Sequence, residues 1–64
     1  MKVFIEKENK EIEHPTACTG LELLQKLNIN PNTVLLMKND EIVLAEDLLP
    51  EDAIVAILSV VSGG

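Results

Sequence analysis

Few side chains in this sequence are reactive enough to do chemistry. His14 is the sole histidine and Cys18 the sole thiol. Nucleophilic catalysis needs a nucleophile, a base and an orienting group, and such partners are normally brought together by the fold from distant positions. His14 and Cys18 instead flank the turn at Pro15, so their closeness in sequence is read as incidental. A structural zinc takes four ligands and a catalytic one three. His14 and Cys18 reach three only if Glu13 is added, so no metal site is expected. The Asp and Glu residues are scattered over turns and a helix surface, the pattern of a solvated face. No phosphate-cradling glycine loop is present, because the only adjacent glycines are Gly63 and Gly64.

Those two glycines are the specific signal. Two glycines in a row at a given place arise by chance about 0.5% of the time, with glycine at about 7% of residues. A frayed end is the plain interpretation, but position favours a chemical one. After a final β-branched segment, Val60 and Val61 hand the chain to Ser62-Gly63-Gly64. The result is a main-chain carboxylate on a slender arm with no Cβ to obstruct it, and glycine reaches φ values closed to other residues. Such an arm can thread a narrow channel in a partner. The reacting group is then the carboxylate of Gly64, with Gly63 and Ser62 as its tail.

The rest of the chain must position that carboxylate. Sixty-four residues make one domain, expected over 1–61 with a flexible tail over 62–64. A domain of about 60 residues buries only about 60% of its unfolded surface, too little to spare for a deep catalytic cleft, so it is not expected to be an enzyme. Apolar residues are 47% and charged residues 25%, the balance of a folded soluble domain. The longest apolar stretch, Ala53 to Val61, is half of what a membrane-spanning helix needs, about 20 residues. The N-terminus turns acidic too early for a signal peptide. Eleven acids against five lysines give a net charge of −6. Nucleic-acid binding requires clustered cations, so that class is rejected. A lone cysteine argues against a disulfide-stapled secreted domain. A cytoplasmic monomer is the expectation.

Met1 to Glu6 alternates with period two, as a half-buried strand does. Lys7 to Lys10 turns the chain, and Glu11 to His14 alternates again until Pro15 removes a ladder donor. Thr19-Gly20-Leu21-Glu22 has capping-box spacing, so a helix starts there. Leu23, Leu24 and Leu27, with Leu21 beside them, form its apolar stripe, and it stops near Asn28. Thr33–Lys38 and Glu41–Leu44, joined at Asn39-Asp40, read as a second hairpin, and Ala53–Val61 as a buried final strand. The order is ββαβββ. One helix must cover one face of a mixed sheet of four to five strands, an α+β layer arrangement. With the first and last strands central and parallel, this is the β-grasp roll. Val3 and Ile5 then face the helix. Phe4 faces outward with Ile54, Ala56 and Leu58, joined by Leu36 on the neighbouring strand. Such an apolar patch marks a partner site. Its expected docking residues are Phe4, Leu36, Leu58 and Val60.

Over essentially its whole length the chain resembles the ThiS/MoaD sulfur carriers and their relatives, the small archaeal modifier proteins and ubiquitin. Thr19 to Leu27 is similar to the family's helix, Asn39-Asp40-Glu41-Ile42-Val43 to its Asn-Gly-Glu-Ile-Val hairpin, and Val61-Ser62-Gly63-Gly64 to its ending. It departs at Asp40, where glycine is usual, and at Glu51-Asp52, where a Gly-Asp pair is usual. It also lacks an arginine after the second hairpin. The resemblance implies that Gly64 is adenylated by a partner enzyme using ATP and magnesium, with no cofactor bound to this chain itself. Sulfur then displaces AMP to give a thiocarboxylate for thiamine precursors, molybdopterin or transfer RNA. The implied partners are a ubiquitin-activating-like adenylating enzyme and a sulfurtransferase or sulfur-accepting synthase. Attack by a lysine amine would instead give a ubiquitin-like protein modifier. A β-grasp interaction module without tail chemistry is the third reading.

Overall fold

The computed structural model describes residues 1–60. The first strand, β1 (Lys2–Ile5), alternates exposed and buried residues, with Val3 and Ile5 inward. A single 3-10 turn over Glu6–Glu8 ends at Asn9, whose φ of 49° is left-handed. Asparagine tolerates that region because its short polar side chain bonds locally. The chain returns as β2 (Lys10–Glu13), antiparallel to β1. Beyond the strands, the Met1 ammonium donates to the His14 carbonyl at 2.6 Å and the His14 amide donates back to the Met1 carbonyl at 2.9 Å.

The helix α1 (Gly20–Lys26) begins as its sequence dictates. The Glu22 amide donates to Thr19 Oγ1 at 3.2 Å and the Thr19 amide donates to the Glu22 carboxylate at 2.9 Å, a complete capping box. It ends at Leu27, after which Asn28 takes a φ of 61°. Leu23 and Leu24 are fully buried and Leu27 partly, whereas Leu21, expected beside the stripe, is 42% exposed. The second hairpin is β4 (Val34–Lys38) and β5 (Glu41–Val43). Its two turn residues, Asn39 and Asp40, both have positive φ, the hand that matches the twist of the flanking strands.

The final strand, β7 (Ile54–Ser59), lies between β1 and β4 in a five-stranded sheet of order β2-β1-β7-β4-β5. β1 and β7 are parallel and the remaining pairs antiparallel. This is the expected β-grasp, with α1 over one face. The core joins Val3 and Ile5 of β1, Val55 and Ile57 of β7, Leu36 of β4 and Leu23 and Leu24 of α1. Burying each such side chain stabilises the fold by about 1.5–3 kcal/mol.

One pairing was not foreseen. β3 (Cys18–Thr19) pairs antiparallel with β6 (Leu48–Leu49), opposing Cys18 to Leu49 and Thr19 to Leu48. Of this two-stranded clip, β3 leads directly into α1 and β6 lies in the connection between β5 and β7. The clip buries Cys18 and Leu49 in the core.

Candidate functional site

The face of the sheet opposite α1 is a surface whose composition follows from cross-strand register. Phe4 stands opposite Glu11 of β2 on one side and Ala56 of β7 on the other. Ala56 faces Met37 of β4, which faces Ile42 of β5. Residues directly opposite on adjacent strands point to the same face, so Phe4, Ala56, Met37 and Ile42 form one apolar row. A second row, nearer the end of β7, pairs Leu58 with Leu35. On the far side, Lys2 lies between Glu13 and Ile54.

Exposure confirms the orientation. Phe4 is 37% exposed, Ile54 62%, Ile42 65% and Val60 50%. Ala56, Leu58, Leu35 and Met37 are half-buried by their neighbours. Together they make a contiguous apolar surface on the open face of the sheet. Acidic side chains, Glu11 and Glu13, border it along β2.

Leu36, expected among these outward residues, is not one of them. It is 3% exposed and packs in the core beneath α1. The register explains the correction. Leu36 pairs with Ile57 and Val43, both on the inward face, so the outward residues of β4 are Leu35 and Met37. A slip of one residue sends every side chain to the other face, and the unbroken apolar run Val34 to Met37 has no alternation to reveal its parity. Leu35, Met37 and Ile42 were therefore missed. The two-residue turn at Asn39-Asp40 held part of the signal, because it sets Met37 against Ile42.

The expected reacting group and its arm, Ser62, Gly63 and Gly64, lie outside the described residues, as does Val61. The described chain reaches Val60, whose amide donates to the Thr33 carbonyl at 3.0 Å and so extends the ladder beyond β7. The strand that crosses the apolar face at Ile54, Ala56 and Leu58 is thus the strand that leads toward Gly64 in sequence.

The two reactive side chains are separately committed. His14 is buried, with Nδ1 2.7 Å from the Thr16 carbonyl oxygen. The Cys18 thiol is buried, and burial raises its pKa above the ordinary value. The nearby Glu22 carboxylate pushes the same way, partly opposed by Lys26 and the N-terminal ammonium. A thiol held protonated is a weak nucleophile. Among the described residues no cluster of three or more His, Cys, Asp or Glu side chains could hold a metal ion. Nor is any helix among them long and apolar enough to cross a membrane.

A cavity of about 330 Å³ opens near the end of β7, floored by Ile5, Leu27 and Ile57 and rimmed by Lys7, Glu8 and Ser59. It contains neither His14 nor Cys18. The described residues thus present an exposed apolar face and a strand that leads in sequence toward Gly64.

The family model described as the ThiS family matches residues 2–64. The chain is also similar to the sulfur carrier protein TtuB of Thermus thermophilus, with 35% identity over 57 residues. That alignment covers 89% of this chain and 88% of the relative. The family match runs from the first residue of β1 to the second of the two terminal glycines and takes in the whole β-grasp between them, so this chain belongs to the ThiS family and is a sulfur carrier protein rather than a catalyst.

Proposed function

We propose that the Gly64 carboxylate is the group on which sulfur is carried, and that the open sheet face delivers it to an activating enzyme. A carboxylate is a poor electrophile. In the first step one of its oxygens attacks the α-phosphorus of ATP, held with magnesium in the partner, and pyrophosphate leaves. A hydrosulfide ion then attacks the acyl carbon of the adenylate, AMP leaves with the electron pair of the broken C–O bond, and the new C–S–H group gives up its proton to water. The product is a thiocarboxylate on Gly64, which a sulfur-accepting enzyme of the cytoplasm draws upon. The partner supplies the catalytic groups and this chain supplies the electrophile.

The observation that carries this reading is the continuity of β7. One strand contributes Ile54, Ala56 and Leu58 to the apolar face and then continues through Val60, from which the sequence runs directly to the final glycines. A partner gripping Phe4, Ala56, Met37 and Leu58 therefore fixes the origin of the arm close to its end. A short span between the gripped face and the carboxylate lowers the entropy lost when that carboxylate enters a channel.

Deletion of Gly63 and Gly64 tests the reading. Pyrophosphate exchange with the cognate activating enzyme should be abolished while the melting temperature stays within a degree or two of the parent. Mass spectrometry of the intact protein from sulfur-replete cells should show a fraction heavier by sulfur minus oxygen, confined to the C-terminal peptide. A truncated chain still adenylated would overturn the carboxylate reading in favour of an interaction module. Adducts on lysines of other proteins would point to a protein modifier.

A further inference from the structure

The two edges of the sheet are unlike. β2 ends it on one side with Lys10, Glu11 and Glu13, charges that discourage pairing with another strand. β5 ends it on the other with only Glu41, Ile42 and Val43, and Ile42 is 65% exposed. Directly after β5, Leu44 is 62% exposed. Beneath this second edge, on the helix side, runs a groove of about 210 Å³ lined by Leu24, Pro31, Val34, Leu36, Val43 and Leu44, all apolar. The edge is short, and Asp47 closes its far end, its carboxylate accepting from the Leu44 amide and its own amide donating to the Leu44 carbonyl. A short open edge beside an apolar groove is the geometry by which extended peptides join a sheet. Main-chain bonds to the edge give affinity, and alternate side chains seated in a pocket give specificity.

The charges around the edge name the occupant. Asp40 and Glu41 stand at its start, and Glu46 and Asp47 lie just beyond its end, all exposed. The nearby lysine, Lys38, is partly buried. A second copy would bring these acids against their own kind, on a chain already at −6. A segment with an apolar centre and lysine or arginine at both ends is complementary in shape and in sign.

We propose that β5 and its groove dock an extended, basic-flanked apolar segment of a partner protein. The segment pairs with Glu41–Val43 as a sixth strand, seats one apolar side chain against Val43 and Leu44, and sets its cations against Asp40, Glu41, Glu46 and Asp47. The site is independent of the sulfur-carrier reading. It shares Ile42 with the apolar row but uses neither Gly64 nor Phe4 and Leu58, so a partner there leaves the tail available.

The test titrates isotopically labelled protein with the synthetic peptide Lys-Lys-Val-Ile-Val-Lys-Lys, capped at both ends, and with its counterpart carrying glutamate for every lysine. The lysine peptide should shift the amides of Glu41, Ile42 and Val43 and the methyl groups of Val43 and Leu44, and the glutamate peptide should not. Glu41→Lys with Glu46→Lys, both exposed, should weaken the lysine peptide at least tenfold and admit the glutamate peptide. Leu44→Ser should weaken the lysine peptide severalfold with the fold intact by circular dichroism. Shifts centred on Phe4, Ile54 and Leu58, equal binding of both peptides, or a β5-mediated dimer of the free protein in sedimentation would each overturn the proposal.

Discussion

The side chain of Leu36 fills the space into which a Cβ on Gly20 would project. The Ala45 carbonyl oxygen and Cα close the same space from the other side, at 3.0 and 3.1 Å. The first residue of α1 is therefore glycine because sheet and loop both crowd it. Gly20→Ala gains up to about 1 kcal/mol in helix propensity. The backbone of Ala45 cannot swing aside as a side-chain tip can, and overpacking of this kind costs about 1–3 kcal/mol. The expected outcome is a net loss of stability of about 1 kcal/mol or more, read as a lower urea midpoint with unchanged slope. An unchanged or higher midpoint would show that the loop yields.

At Asp40 a substitution should act in the opposite direction. A φ of 70° costs a residue with a Cβ about 1–2 kcal/mol, although Asp tolerates it better than most. Asp40→Gly removes that strain and one acid at the expense of unfolded-state entropy, so a gain of about 0.5 kcal/mol is expected. Thermal melts of the two proteins at equal ionic strength decide it.

Docking should depend on the row as the register defines it. Phe4→Ala, Met37→Lys and Leu58→Glu should each raise the KM of the activating enzyme for this chain at least tenfold, with kcat at saturation little changed. Leu36→Ala should unsettle the fold itself, by about 2–5 kcal/mol for a buried leucine. If Leu36→Ala impaired docking while its melting temperature held, the assignment of faces would be wrong.

Cys18 supplies a pH prediction. Its folded pKa is raised, chiefly by burial, so the native state holds the thiol proton more tightly than the unfolded chain does. The resulting stability is fully present below the thiol's ordinary pKa. It declines as pH rises from that value through the higher folded pKa. Cys18→Ser should flatten this alkaline decline, measured by urea unfolding between neutral and strongly alkaline pH. The same variant should be adenylated normally. Loss of adenylation in a folded Cys18→Ser protein would give the thiol a role.

What the sequence disclosed followed from local signals. The capping box at Thr19 and Glu22, the turn at Asn39 and Asp40 and the alternation of Met1 to Glu6 each act over a few residues, and each appears in the structure. The parallel pairing of β1 with β7 followed from topology, because one helix carries the chain across the sheet. The clip of β3 and β6 was not legible, since two residues have no period. Its partners are about 30 positions apart in sequence, beyond any pattern in a short window. The outward parity of β4 was hidden for a related reason. An apolar run reads the same in either register, and only its pairing with β7 decides which leucine faces water.

The placement of β7 between two neighbours has a mechanical consequence. Force applied along the strand from its C-terminal end loads the parallel ladder with β1 and the antiparallel ladder with β4 together. Both must be sheared at once, where a strand at the rim could be peeled away one bond pair at a time. Tension on β7 toward its C-terminal end therefore meets the anchored centre of the sheet before any edge gives way.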